Sequence, residues 1–237
     1  PGGYKVMHLE ILPIEGLPQI KPGDDLIAML GECDQIQSSD ILVVTQKIIS
    51  KAENQLIDID PNDPLSHKPL VEKESVRILR RRGDLIISET KHGFVCANAG
   101  IDLSNVERGQ AALLPEDSDR SALRLKDGLK GRYNLDVAII ISDTFGRPWR
   151  RGLTDVAIGS AGISPILDLR GEQDALGREM QVTEVALVDE LASAAELVMG
   201  KSSGIPVAII RGGDSEWFGS GNVRESLLRD PNDDLFR

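Results

Sequence analysis

The sequence predicts an α/β protein built on a mixed sheet. Apolar runs at 40–45, 137–141 and 205–210 are typical of buried strands. Amphipathic segments come between them, most clearly at 184–199, where apolar residues recur with helical spacing and Gly200 follows as a cap. Alternating strands and helices favour parallel pairing, but a hairpin predicted within 84–97 breaks that alternation. We therefore expect parallel and antiparallel pairs in one sheet.

The remaining elements follow from caps, prolines and periodicity. In chain order we predict a strand at 8–14, a helix from Asp24 or Asp25 to about Gly31, a helical turn at 46–51, a proline-containing loop at 60–69, a helix at 70–82, hairpin strands at 84–89 and 94–97, and a helix at 119–130. The run Arg80 to Arg82 would then place cations at a helix C-terminus, with Gly83 as its cap.

Composition limits the classes of function. The chain has 237 residues, 27% of them charged, and a formal net charge of −11, which does not suit non-specific binding of nucleic acid. Cys33 and Cys96 are too far apart for a zinc motif, and free thiols without a signal peptide indicate the cytoplasm. No apolar run approaches the roughly 20 residues of a membrane span.

We expect one main domain at 7–221. Residues 1–6 resemble a leader or a cloning remnant ahead of Met7, and 222–237 form an acidic, poorly periodic tail or linker. No repeat and no low-complexity linker divides the stretch between them.

The most informative segment is 139–152. Asp143 and Thr144 come directly after a buried strand, where a carboxylate and a hydroxyl can bind a hard cation. Arginines 147, 150 and 151 follow, with Pro148 and Trp149 between them. We expect a fixed, partly buried loop in which these arginines need anionic partners; a solvated surface run is the alternative.

Asp102 offers a second carboxylate after a predicted strand. Taken alone it could simply form a turn, because Asp and Asn bond locally to backbone. Together with Asp143 it would supply the carboxylates that magnesium or manganese needs beside phosphate oxygens.

Two further segments suit phosphate binding. Lys47 and Lys51 share one face of a helical turn after a buried strand, although lysines are commonly just solvated. The loop from Gly200 to Gly204 resembles a P-loop but fails the test: the first glycine is missing, and helix precedes strand. Its backbone N–H groups could still contact phosphates, unless it is a plain turn. No Rossmann fingerprint is present.

Five motifs together are similar to one family. Segments 7–20, 43–53, 98–105, 141–152 and 155–162 resemble, in order, the coenzyme F420-0:L-glutamate ligases, also called F420 gamma-glutamyl ligases. The resemblance runs from about Met7 to Arg211. It implies a family-specific mixed α/β fold, neither Rossmann nor P-loop, and a homodimer.

The resemblance also implies the activity. Members add L-glutamate to the carboxylate of the deazaflavin coenzyme F420-0, and then a γ-linked glutamate, with hydrolysis of GTP. Magnesium or manganese is required, and potassium is a further candidate cation. The number of glutamates is left open, as is a C-terminal nitroreductase-like domain that some members carry. A GTP- and metal-binding sensor or phosphohydrolase on the same scaffold is the alternative.

The five matching motifs also imply which residues form the site. The residues implied for the nucleotide are Leu17, Pro18, Gln19, Ile20, Gln46, Lys47, Lys51, Asn105, Met199, Gly200, Lys201, Ser202, Ser203, Gly204 and Ile205. Those implied for metal are Asp102, Asp143 and Thr144. We assign catalysis to Asp143, Arg147 and Arg150, with the arginines holding the deazaflavin tail or the glutamate. One departure stands out: Lys201 stands where some members have an acid that binds a second metal. Either the second metal is held differently in this chain, or Lys201 replaces its charge.

Overall fold

The computed structural model describes residues 7–235. In chain order its elements are β1 (Glu10–Pro13), α1 (Leu26–Gly31), β2 (Ile41–Thr45), α2 (Gln46–Ala52), β3 (Leu56–Asp58), α3 (Lys68–Glu74), β4 (Ser75–Arg82), β5 (Leu85–Thr90), β6 (Val95–Ala97), β7 (Gln110–Ala112), α4 (Ser118–Tyr133), β8 (Ala138–Arg147), β9 (Arg150–Ala161), β10 (Leu167–Asp168), β11 (Glu184–Val185), α5 (Leu187–Met199), β12 (Val207–Arg211) and α6 (Val223–Ser226). Short 3₁₀ turns lie at Asn98–Gly100 and Ser215–Trp217.

The central sheet is mixed, as predicted. Its order is β1-β12-β2-β8-β9, and only β2 and β8 run parallel. The apolar runs of β2, β8 and β12 have almost no exposed surface. Strands covered on both faces need such continuous apolar sequences, which is why their sequences predicted them so clearly.

Two long helices pack on this sheet. Helix α4 begins at the cap Asp117, whose side chain accepts from the Arg120 N–H, and ends at Asn134 in the left-handed region. Helix α5 packs against β9, β12 and β1 and ends at Gly200 with φ of 60°. The predicted helices at 119–130 and 184–199 are thus confirmed, except that the start of the second is strand β11.

The helix predicted at 70–82 is wrong. Helix α3 stops at Glu74, and β4 pairs antiparallel with β5 around Gly83, which has φ of +56°. Pairing with the apolar β5 overrides the helical propensity of Arg and Leu. The three arginines therefore lie on an exposed edge strand, where charge discourages pairing with other chains.

The hairpin predicted at 84–97 is confirmed. Strands β5 and β6 pair around a turn in which the Thr90 N–H bonds to the Phe94 carbonyl. With β4 they form a three-stranded sheet. Val71, Ile86 and Ala99 make a small core beside it, separate from the main one.

The strand predicted at 137–141 is too short. Strand β8 continues through Asp143 to Arg147 and pairs with β9 as one long hairpin. The register shifts between Ile141 and Ser142, where β9 carries one extra residue. Bulges of this kind bend a strand and redirect side chains beside functional sites. Asp143 is thus inside a paired strand and not at a strand tip.

The start of the C-terminal segment belongs to the folded body. Val223 is buried in the main core, and Leu227 and Leu228 pack against it. The Asp119 carboxylate accepts the N–H groups of Ser160 and Val223, which ties α6 to β9. Residues 1–6, predicted as a leader, lie outside the described residues. Between 7 and 235, no helix is long and apolar enough to cross a membrane.

We predict that Gly159→Ala destabilises the protein by about 1–3 kcal/mol, because an added methyl would overlap backbone. A Cβ at this position would lie 2.4 Å from the Ser118 carbonyl carbon and 2.5 Å from its oxygen. Gly131→Ala is the matched control: its Cβ meets nothing within 4 Å, and alanine should stabilise helix α4 by about 0.5–1 kcal/mol. Urea unfolding measures both; equal stabilities would contradict the tight β9–α4 contact.

We also predict that His92 weakens the fold in mild acid. Both ring nitrogens are buried without a partner among the described residues, and the ring stacks on Phe94. Burial lowers its pKa, as do Lys91 and Arg224, while Glu74 and the Pro115 backbone carbonyl oppose them. The unfolded chain therefore binds the proton more tightly, and stability is lost as pH falls below about 6.5.

The matching measurement is the free energy of unfolding between about pH 7 and pH 5.5. His92→Leu should lose less stability over that window than the wild type. The exposed His8→Leu should behave as the wild type does. A wild-type slope retained in His92→Leu would rule out this histidine as the source.

Candidate functional site

One edge of the central sheet collects most of the predicted site residues. β2 and β8 are parallel, so the carboxyl end of β2, Thr45, lies beside Ser142, where the buried part of β8 ends. β12 runs antiparallel to β2, and its start at Val207 lies beside Val44. The loop entering β12 and the loop leaving β1 therefore reach the same edge, since Ile14 donates its N–H to the Val207 carbonyl.

A pocket opens at this edge. Its lining residues are Leu17, Pro18, Gln19, Ile20, Thr45, Gln46, Lys47, Ile48, Lys51, Asp102, Asn105, Ser142, Asp143, Thr144, Asp155, Gly200, Lys201, Gly204, Ile205 and Pro206. Among the residues proposed for the nucleotide, only Met199, Ser202 and Ser203 do not line it. All three residues proposed for metal do.

One side of the pocket, which we call the Asp102 corner, contains Lys47, Asp102 and Asp143. The Lys47 ammonium lies 2.8 Å from the Asp102 carboxylate and donates to Ser104 Oγ at 2.8 Å. Burial alone would raise the pKa of Asp102, but the bonds from Lys47 and Ser104 outweigh it, and the pKa lies below its usual value. Asp102 is therefore ionised at neutral pH.

Asp143 is the most perturbed acid of the pocket. Burial raises its pKa to about 7, and the negative charges of Asp102 and Asp155 add to that effect. The backbone N–H of Thr144 donates the only hydrogen bond to this carboxylate from the described chain. The Asp143 carboxylate therefore lacks a direct cationic partner. Its charge also helps burial raise the pKa of the Cys96 thiol to about 12.

The opposite side, the Asp155 corner, was missed by the sequence reasoning. Asp155 has a side chain that is only 3% exposed. It accepts hydrogen bonds from Ser142 Oγ at 3.1 Å and Thr144 Oγ1 at 2.7 Å. Lys201 completes the group, with Nζ 2.7 Å from Asp155 Oδ1. A usable signal was present: an acid in an apolar strand, in the motif that begins at 155.

Two consecutive residues of β8, Asp143 and Thr144, belong to different corners of the pocket. Consecutive residues of a strand point to opposite faces. Thr144 accordingly bonds to Asp155, its partner across the hairpin, whereas Asp143 has Asp102, Lys47 and Cys96 among its electrostatic neighbours. The Thr144 hydroxyl is engaged by both Asp155 and Lys201.

Two predicted nucleotide residues also hold the pocket wall. The buried Gln46 amide donates to Ser50 Oγ at 2.6 Å and to the Leu113 carbonyl at 2.9 Å, so its nitrogen is already used within the fold. Lys51 donates to the Asn105 carbonyl at 2.7 Å. Burial and the nearby Lys47 lower the pKa of Lys51.

The loop after α5 is a backbone turn with one long side chain aimed inward. Gly200 and Gly204 have φ of +60° and +71°, which glycine adopts without strain. Ser203 Oγ bonds back to the Met199 carbonyl, and Met199 itself is buried in the core. The contribution of this loop to the pocket is therefore mainly backbone plus Lys201.

The environment predicted for the arginine segment is wrong. Trp149 is 81% exposed, and arginines 147, 150 and 151 are exposed at the tip of the β8–β9 hairpin. The Arg147 guanidinium donates to the Arg151 carbonyl, at 3.4 Å. None of them lines the pocket. The premise that burial forces anionic partners on them fails, because the hairpin extends away from the core.

The residues present suit a divalent cation at the Asp102 corner. Magnesium commonly binds through one or two carboxylates, with water and phosphate oxygens completing the shell. Asp102 and Asp143 are such a pair, and no cation among the described residues pairs with the Asp143 carboxylate. Within residues 7–235 no group of three or more His, Cys, Asp or Glu side chains is placed to hold a metal, so bound phosphates or water would complete the shell.

Comparisons with known proteins identify the family of the chain. A family model described as F420-0:Gamma-glutamyl ligase matches residues 16–212. The chain is 42% identical to the coenzyme F420:L-glutamate ligase of Methanothermobacter thermautotrophicus, over 98% of this chain and 100% of that protein. It is 40% identical to the ligase of the same name from Methanopyrus kandleri, over 100% of both chains. The fold, the pocket and these similarities establish that the chain belongs to the F420-0:gamma-glutamyl ligase family.

Proposed function

We propose that this protein ligates L-glutamate to the carboxylate of coenzyme F420-0, and then adds a γ-linked glutamate, with GTP as the energy source. The observation that carries the proposal is the convergence of lysines, carboxylates and a glycine-flanked loop on one pocket. Full-length similarity to proteins named coenzyme F420:L-glutamate ligase supplies the substrate.

The nucleotide would lie across the sheet edge. Lys47 and Lys51 project from the first turns of α2, and Lys201 approaches from the opposite loop. Their charges would oppose that of the triphosphate. The backbone of Leu17–Ile20 and of the 200–205 loop would enclose the guanosine and phosphates. The half-buried Lys51, which donates to the Asn105 carbonyl, would contact phosphate from the pocket wall.

The chemistry needs an activated carboxyl group. A carboxylate oxygen of F420-0 attacks the γ-phosphorus of GTP, the bond to the β-phosphate oxygen breaks, and GDP leaves. The neutral glutamate amine then attacks the acyl carbon, inorganic phosphate departs, and the amine loses a proton as the amide forms. The protein contributes positioning and charge compensation, because no covalent enzyme intermediate is needed.

Asp102 and Asp143 would hold Mg²⁺ or Mn²⁺. The ion would neutralise phosphate oxygens as charge develops on them. Potassium is a further candidate cation near the phosphates. The enzyme is proposed to act as a cytoplasmic homodimer, and the exposed arginines 147 and 150 would meet anionic substrate only from the hairpin tip.

The direct test is phosphate release from GTP with each substrate omitted in turn. We expect release only when F420-0, L-glutamate and a divalent cation are all present, together with products one or two glutamates heavier by mass spectrometry. Release that needs neither glutamate nor F420-0 would favour a GTP phosphohydrolase, and GTP binding without turnover would favour a sensor.

We predict that Asp143→Asn lowers ligation at least about 100-fold, the effect of losing several kcal/mol of charge stabilisation. Its melting temperature should not fall, since asparagine can still accept the Thr144 N–H and removes a buried negative charge. The exposed Asp168→Asn, which breaks only a surface pair with Arg170, is the control and should retain activity. Substantial ligation by Asp143→Asn would remove this residue from the mechanism.

A further inference from the structure

Lys201 is bound as a metal ion would be. Its Nζ lies 2.7 Å from Asp155 Oδ1, 2.6 Å from Thr144 Oγ1 and 3.2 Å from Glu196 Oε1. Two of the three N–H donors of the ammonium group have hydrogen-bond acceptors, in Asp155 and Thr144, and Glu196 adds an ion pair. The three oxygens come from β9, β8 and α5, so the ammonium joins three elements at one point.

The contact with Lys201 is the charge compensation of the buried Asp155 carboxylate. Lys201 is its only ion-pair partner within the described chain; the Ser142 and Thr144 hydroxyls contribute hydrogen bonds but no charge. Asp143 lies close enough to repel it. An ionised carboxylate so buried needs a cation beside it, because desolvation is otherwise uncompensated.

We propose that Lys201 is a built-in cation that takes the place of a metal ion at the Asp155 corner, so that each chain has a single divalent-cation site, at the Asp102 corner. The location of that single site rests on the proposed function; the role of Lys201 rests on its own contacts. A metal bound to the same three oxygens would lie within van der Waals contact of Nζ, which sterics and like charge both forbid. The Asp102 corner differs because Lys47 pairs with Asp102 alone, and no described lysine or arginine pairs with Asp143.

The consequence is that the positive charge at this corner is covalently attached to the chain and cannot diffuse away as a metal ion can. The Lys201 side chain is 54% exposed, so one side of the ammonium faces Asp155 while the rest faces the pocket. A chelator would remove the metal but not this charge. The conformation of the loop after α5 would also persist without metal.

The test is the number of Mn²⁺ ions bound per chain, counted from the free-ion electron paramagnetic resonance signal. Lys201→Ala leaves Asp155, Thr144 and Glu196 in place and should bind one Mn²⁺ more than the wild type. Lys201→Arg keeps the charge and should bind as many as the wild type. Lys201→Ala with Asp155→Asn should lose the extra ion, which assigns it to this corner.

Thermal unfolding gives a second readout, independent of catalysis. Lys201→Ala should melt below the wild type without metal, and Mn²⁺ should raise its melting temperature more than that of the wild type, since binding to the folded state stabilises it. Lys201→Ser serves if the alanine variant does not fold. No extra ion in either variant, or a wild type that already binds Mn²⁺ at Asp155, would overturn the proposal. A wild type that binds none, with one ion gained in Lys201→Ala, would sustain it while contradicting the proposed metal at Asp102 and Asp143.

Discussion

The buried carboxylate of Asp155 is the constraint on which the pocket depends. It lies on β9, directly across from Thr144 of β8, and Lys201 reaches it from the loop after α5. A carboxylate in this position must be satisfied by several donors at once, because an unpaired buried charge is costly. The Asp155 carboxylate therefore links three features: the register of the β8–β9 hairpin, the bulge opposite Ile141 and the course of the loop after α5.

Much of the fold could be predicted because its strongest determinant is continuous burial. The strands β2, β8 and β12 and the helices α4 and α5 carry apolar patterns that few other structures satisfy. The sequence failed to predict strands that form only by pairing with a neighbouring strand. The segment from Val76 to Arg82 and the extension of β8 beyond Ile141 become strands only because β5 and β9 lie beside them. Local periodicity contains no information about such partners.

The site was predictable where polar residues follow apolar runs of the sequence, as Lys47 and Asp143 do. Parallel strand ends meet at one edge, so sequence position implies proximity there. The sequence analysis did not assign Asp155 to the site because this residue lies in the middle of β9, which runs antiparallel to β8. The expected burial of the arginines was wrong for a related reason: Trp149 suggested burial, whereas a long hairpin takes it into solvent.

Charge within the pocket explains how an acidic protein could accept a polyanion. The charged lining residues are Lys47, Lys51, Lys201, Asp102, Asp143 and Asp155, three of each sign. The pocket is thus formally neutral within a chain of net charge −11. A triphosphate entering it would leave several negative charges uncompensated, and Lys47 and Lys201 already neutralise carboxylates. Since no lysine or arginine in the described part of the chain pairs with Asp143, a metal ion arriving with the nucleotide would compensate both the phosphates and this acid. The arrangement therefore favours coupled binding of nucleotide and metal over binding of either alone.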